Sequence, residues 1–304
     1  MNELITDIKS LEIETLKNLK NSKAQNTLRA YQADFKDFSS FCVKNGLISL
    51  PTEPKIIALY LTHLSSYSKF STLKRRIASI KVVHRLKGHY IDTKHPIITE
   101  NIMGIKRKLG VKQTSKKPIL INDLKKIINV IDEEKNEFKK YLNKALILIG
   151  FAGGFRRSEL VSIEYEDLDF VAEGLKITVT KSKTDQTGIG LTKAIPYFEN
   201  KTYCPVISLK KWIEYSNIKT GKIFKVSDKT VALTIKKYAS MSGLDNSSYA
   251  GHSLRSGFAT SAAEIGADER SIMAMTGHKT TQMVRRYIQE ANLFKNNALN
   301  KIKI

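Results

Sequence analysis

The stretch Gly251-His-Ser-Leu-Arg-Ser-Gly-Phe-Ala-Thr260 sets His252 and Arg255 three residues apart, on one face of a helical turn. Histidine moves protons near neutral pH, and arginine grips an oxyanion in a bidentate fork. Such a pair acquires meaning only if the chain supplies the other parts of a phosphate-handling site. Phe151-Ala-Gly-Gly-Phe-Arg-Arg-Ser-Glu-Leu160 puts a double glycine before Arg156, with Glu159 three residues on. Lys183 falls in the polar turn KSKTDQTGIG. His278 follows Gly277 in MAMTGHKTTQMVRRYI, and Tyr287, nine residues later, is the only tyrosine after Tyr249. These types cover a proton carrier, an anion grip, a general acid and a nucleophile.

The elements that must carry them follow from periodicity. The first ~110 residues read as helices. Leu28, Tyr31, Phe35, Phe38 and Phe41 recur at three and four residues, and Gly46 provides a stop. Pro54 opens a second helix, and a third starts near Ser71 through Leu73, Ile77, Ile80, Val83 and Leu86. Lys74, Arg75, Arg76 and Lys81 line the outward side of that third helix with no acid between them, a face suited to phosphates. Lys106-Arg-Lys-Leu-Gly-Val-Lys-Gln-Thr-Ser-Lys-Lys117 lacks apolar periodicity. Its cations are Lys106, Arg107, Lys108, Lys112, Lys116 and Lys117, and it has no acid. It reads as an irregular basic connection, with the linker itself at 111–117.

Beyond Pro118 the expected helices are 122–134, 137–151, 206–216, 228–241, 253–266, 268–275 and 280–287. Strands are expected at 167–170, 175–180 and 193–198. The fold class is therefore mainly α with a small antiparallel β-sheet (α+β). Residues 1–110 would form a helical domain and 118–304 a mixed domain.

Across 304 residues, 51 Lys+Arg oppose 29 Asp+Glu, a formal charge of +22. With 41% hydrophobic residues the chain is globular, so this excess favours a polyanionic partner, nucleic acid before membrane. Cys42 and Cys204 form no metal spacing and no disulfide framework, which suits a reducing, cytoplasmic setting. No apolar run approaches the ~20 residues of a membrane span. His63, His84, His89 and His95 match no zinc pattern and read as structural or DNA-facing. No glycine-rich nucleotide loop is present, and two arginines, a lysine and a histidine supply the positive charge a metal would otherwise provide, so neither metal nor nucleotide cofactor is called for.

Taken together, GGFRRSEL, SKTDQ, HSLRSGFAT and TGHKTTQMVRRY resemble the arginine box, lysine turn, H-x-x-R box and Gly-His–tyrosine box of the tyrosine recombinase (phage integrase) family. The boxes stand in family order across about 120–295. The first 110 residues are similar, more weakly, to the family's core-binding (SAM-like) domain. Ser256 and Gly257 replace the His-Ser or His-Thr pair common after the second arginine.

The resemblance implies a two-domain site-specific recombinase that clamps duplex DNA, cleaves it through a 3′-phosphotyrosine and exchanges strands as a homo-tetramer through a Holliday junction. It further implies an enzyme acting at the nucleoid, of a mobile element or of the host, in integration, excision or resolution. Tyr287 would be the nucleophile, with Arg156, Arg255 and His278 holding the phosphate, His252 accepting the tyrosine proton and Lys183 protonating the leaving 5′-oxygen. Glu159 would steady His252 or the arginines. Lys176 and Lys181 share the hairpin with Lys183, and Lys181 and Lys183 fall on one side of the alternation, so the turn decides between them. A type IB topoisomerase would use the same groups without a synapse, and a non-catalytic regulator could keep the fold. In the tail, Leu293, Phe294 and Leu299 belong to an apolar stripe that either packs on its own domain or docks on a neighbouring subunit.

Overall fold

The computed structural model describes residues 25–110, 116–180 and 190–291, together with Ser10, Leu11, Glu14, Asn300 and Ile302. These fall into two compact units, residues 1–114 and 115–304. No helix among the described residues is long and apolar enough to cross a membrane.

The first unit contains α1 (Gln25–Lys44), α2 (Pro54–Leu64), α3 (Phe70–Leu86) and α4 (Pro96–Leu109). Its core joins Phe38 and Cys42 of α1, Ile57, Tyr60, Leu61 and Leu64 of α2, Leu73 and Ile80 of α3, and Ile98 and Ile105 of α4. The spacing of those residues is why each segment is helical: each presents one apolar stripe to the others. The basic stretch expected from Lys106 becomes irregular later than its composition suggests. Lys106, Arg107 and Lys108 form the last turn of α4, where cations complement the negative end of the helix dipole. Pro96 starts that helix, capped by His95, and Ile98, Ile102 and Ile105 hold it to the core.

The cationic side of α3 is divided rather than uniform. Arg75 pairs with Asp34 at 2.5 Å, and Arg76 reaches Asp34 and Asp37, both at 3.2 Å. Asp34 is buried, so these contacts tie α3 to α1. Lys74, which lies over the Phe70 ring, and Lys81 are both exposed. His84 is buried as well: its Nε2 accepts from the Thr52 amide, and its Nδ1 meets the Ile80 carbonyl.

The second unit orders α5 (Ile121–Asp132), α6 (Glu137–Ala152), a one-turn α7 (Arg157–Leu160), β1 (Leu168–Val171), β2 (Gly174–Val179), β3 (Leu191–Pro196), α8 (Pro205–Ser216), α9 (Asp228–Met241), α10 (Ser253–Glu264), α11 (Glu269–Thr276) and α12 (Thr281–Ala291). Helix α6 is the central element, buried continuously from Ala145 to Ala152 and packed against α8 and α10. The sheet is antiparallel in the order β1-β2-β3, with Leu175 opposite Ile195 and Ile177 opposite Lys193. Helices with a small antiparallel sheet are the class the sequence predicts, and the ends of the elements expected beyond Pro118 move by at most four residues.

Two features fix how the elements around α10 meet. The chain entering this unit runs along the start of α10, with Lys117 N–H bonded to the Ser248 carbonyl and Ile119 N–H to that of Ser253. Gly257 lets α10 come so close that an added Cβ would collide with the Ile119 backbone. The second feature is Lys193, which lies on the inner face of β3 and is only 1% exposed. Its Nζ donates to the carbonyls of Gly153 (2.6 Å) and Met275 (2.5 Å) and sits 4.2 Å from the Phe155 ring centroid. Burial pushes this amine down to about 7; Glu159 opposes the shift, and Arg255 and Arg156 add to it.

Gly257→Ala should cost about 1–3 kcal/mol or more by overpacking against rigid backbone, read as a fall in the denaturation midpoint. An unchanged midpoint would mean that the 117–119 segment can move aside. For Lys193, the unfolded chain keeps the ordinary value of 10.5 and binds more protons than the folded chain between about pH 7 and 10.5. Folding stability gains from this group as pH rises through that window. Lys193→Met should flatten the rise, and an equal rise in the variant would assign it elsewhere.

Candidate active site

Four backbone features deliver the predicted residues to one cleft. Helix α6 ends at Gly153-Gly154, with Gly154 in the left-handed region at φ 53° and its Cα hemmed in by Phe258 and Thr276. This turn reverses the chain so that Arg156 caps α7. Glu159, buried on α7, accepts from the Arg156 backbone N–H at 2.9 Å and from its guanidinium at 2.5 Å. Of the two partners expected for Glu159, the structure puts it against the arginine.

Helix α10 begins beside His252 and buries Arg255, which is 1% exposed. Arg255 Nη1 donates to the Gly154 carbonyl at 2.8 Å, so the second arginine holds the turn that presents the first. Its Nε and Nη2 are buried and meet no acceptor among the described residues. Burial first, then the neighbouring Arg156, lowers Arg255 to about 10, which leaves it charged at neutral pH. Two donors of a charged fork thus remain for an anion.

His278 stands just after Gly277, which ends α11 in a left-handed conformation. The residue is 6% exposed, and its Nδ1 lies 2.8 Å from Thr276 Oγ1. Burial, and then Arg255, Arg156, His252 and Lys193, push it down to about 4. Tyr287 projects from α12 with its hydroxyl 3.4 Å from His252 Nε2 and its ring centroid 6.1 Å from that of His278. His252 is likewise held below its ordinary value, by desolvation and then by Arg255, Arg156 and Arg157. A neutral imidazole in that position has a lone pair to offer a phenol.

Arg156, His252, Arg255, His278 and Tyr287 therefore line one cleft of about 660 Å³, along with Lys116, Lys117, Ser256, Thr260, Gln282 and Arg286. Lys116 also donates to the Ser247 carbonyl. The cleft is cationic, has a phenol at its rim and keeps both histidines neutral. It can hold an anion, take a proton from the phenol and stabilise charge as it develops. Lys183 and Lys112 lie outside the described residues, as do Leu293, Phe294 and Leu299. Lys106, Arg107 and Lys108 are exposed on the first unit.

Two residues escaped the sequence reading. Lys193 was one lysine among many, and its only signal was its place: Lys193 and Ile195 alternate on the inward register of β3. Thr276 had no signal beyond adjacency to the Gly-His pair. It becomes notable because its hydroxyl bonds both the Ile272 carbonyl and the His278 ring.

The sequence model of the phage integrase family matches residues 119–293. An integrase/recombinase xerD homolog of Selenomonas ruminantium is 42% identical, an alignment covering 99% of this chain and 92% of that protein. Among solved structures, the post-cleavage complex of the XerH site-specific recombinase with a palindromic difH substrate shares the fold, with a TM-score of 0.68 and 17% identity over 88% of this chain and 80% of that one. A lambda integrase tetramer bound to a Holliday junction does so at a TM-score of 0.60 and 19% identity, over 99% and 81% of the two chains. The matched segment holds Arg156, His252, Arg255, His278 and Tyr287, and the chain belongs to the phage integrase family of tyrosine recombinases, enzymes that cleave and rejoin DNA at specific sites.

Proposed function

We propose that Tyr287 is the nucleophile of a site-specific DNA recombination reaction and that Arg156, Arg255 and His278 hold the scissile phosphate. The observation that carries this reading is the Tyr287 hydroxyl 3.4 Å from a neutral His252, beside a buried arginine with two donors still to be satisfied. His252 accepts the phenol proton as the Tyr287 oxygen attacks phosphorus. The 5′-oxygen leaves, and a 3′-phosphotyrosine conserves the bond for religation. The surrounding guanidinium groups offset charge on the non-bridging oxygens. By resemblance the leaving oxygen takes its proton from Lys183. Glu159 and Lys193 keep the Arg156 turn in place from below.

The partner in this reading is a double-stranded DNA recombination site. Four copies synapse two sites and exchange strands in pairs through a Holliday junction, in keeping with the fold shared with a lambda integrase tetramer solved on such a junction. The setting is mobile DNA in the cytoplasm, at the nucleoid. Lys116 and Lys117, on the cleft, with Lys74, Lys81, Lys106, Arg107, Lys108 and Lys112, supply phosphate contacts; Arg75 and Arg76 would do so while also paired to Asp34.

The test uses duplexes that the protein selects from a randomised pool, nicked so that a cleaved complex is trapped. Tyr287→Phe should bind these duplexes with near-normal affinity and form no covalent adduct; an adduct mapped to Tyr249 would sink the assignment. Arg255→Ala should lower the cleavage rate by ~10²–10³-fold or more. Neutralising Lys116 and Lys117 together should weaken all duplexes alike and reduce the steepness of the salt dependence. A loss confined to one sequence would mean that these residues read bases.

A further inference from the structure

Thr276 donates its hydroxyl hydrogen to the Ile272 carbonyl, because the two oxygens are 2.6 Å apart and would repel without a hydrogen between them. A hydroxyl has one hydrogen. Toward His278 Nδ1, 2.8 Å away, Thr276 Oγ1 can therefore only accept, so Nδ1 carries the proton. In the neutral ring Nε2 is then a bare lone pair. The ring lies on the same cleft as Arg156, Arg255 and Tyr287. A lone pair repels the anionic oxygen of a phosphodiester, whereas a second N–H would bind it.

We propose that Thr276 is a positioning residue that locks His278 in the Nδ1–H tautomer, so that His278 engages the scissile phosphate only by taking up a proton on Nε2. The proton comes from solvent and, once on Nε2, points at a non-bridging phosphate oxygen. No bond to phosphorus changes in this step. The inference rests on the reading that this cleft receives a phosphodiester.

The charged and titratable groups facing the ring are Arg156 on the turn before α7, His252 and Arg255 at the start of α10, Lys193 on β3 and Tyr287 on α12. Their positive charge and the ring's burial keep it neutral in the free protein. The negative charge of a bound phosphate opposes that field at the ring. The free enzyme thus presents a ring that contributes no extra charge to an already cationic pocket, and the DNA phosphate itself completes the anion site. Because His252 titrates nearby, the effect of Thr276 must be separated from it by substitution.

The experiment uses the full-length chain carrying Tyr287→Phe, to block cleavage, with ¹⁵N-labelled histidine and His278 assigned by a His278→Gln variant. The imidazole ¹⁵N spectrum of the free protein near neutral pH should show His278 with Nδ1 protonated and Nε2 bare. Adding a duplex selected by the protein should protonate both nitrogens. Calorimetry in buffers of different ionisation enthalpy should record up to one proton taken up more than in a Thr276→Val variant. The affinity advantage of the threonine protein should change by up to tenfold per pH unit, growing as pH falls. Thr276→Ser should restore both signatures, since serine offers the same hydroxyl. An Nε2–H tautomer in the free protein overturns the lock, as does equal proton uptake in Thr276→Val. A complex whose Nε2 gains a hydrogen while Nδ1 loses its own overturns the coupling. If the protein selects no duplex at all, the recombination reading falls, and the coupling falls with it. The free-state spectrum tells these failures apart, because it needs no DNA.

Discussion

The architecture of the second unit depends on keeping like charges together in a poorly hydrated place. Arg156, Arg255 and Lys193 converge beneath one cleft, and Glu159 is the carboxylate bonded there. One acid cannot neutralise three cations. Backbone carbonyls take up the remainder: Gly154 accepts from Arg255, while Gly153 and Met275 accept from Lys193. Carbonyl dipoles hold a cation without cancelling it, so the positive potential that an incoming anion meets is preserved. The cost is visible in the depressed Lys193 and Arg255 and in the neutral histidines. Such pre-set charge lets a pocket stabilise a developing oxyanion without reorganising at the moment of reaction.

The two glycines are the hinge of that arrangement. A carbonyl at Gly153 and one at Gly154 must point to different cations within a single reversal of chain, and the φ of 53° at Gly154 makes this possible. Phe258 and Thr276 close around the same glycine, so the turn is fixed by packing from α10 and α11. The segments that bear Arg255 and Lys193 also bond the backbone of another. The catalytic unit holds its chemistry through main-chain contacts between loops, with the α6 core behind them.

Much of this was readable from residue types and spacing. Helices such as α1 and α3 show their apolar stripes directly, and the boxes around Arg156, His252, Arg255, His278 and Tyr287 could be identified before any coordinates. What stayed hidden depended on distance in sequence. Arg75 and Arg76 looked free because no acid stands near them along the chain, yet Asp34 and Asp37 reach them from α1. Helix α4 was obscured because its cationic last turn masked the isoleucine spacing before it. Lys193 looked like any solvated lysine, since only the pairing of β3 with β2 and its packing against α11 turn it inward. The role of Thr276 depends on where one hydrogen atom goes, which no sequence pattern encodes.

The strap at residues 117–119 has a mechanical meaning as well. Its two backbone hydrogen bonds end at Ser248 and Ser253, which bracket His252, and Gly257 presses the strap's far end against α10. The chain entering the second unit is therefore stitched on either side of His252. Any tension carried along that segment is delivered first to those two stitches, in shear, within a few residues of His252. The alignment of the imidazole with the Tyr287 hydroxyl is thus exposed to load on the polypeptide in a way that Arg156, anchored on the far side by Glu159, is not.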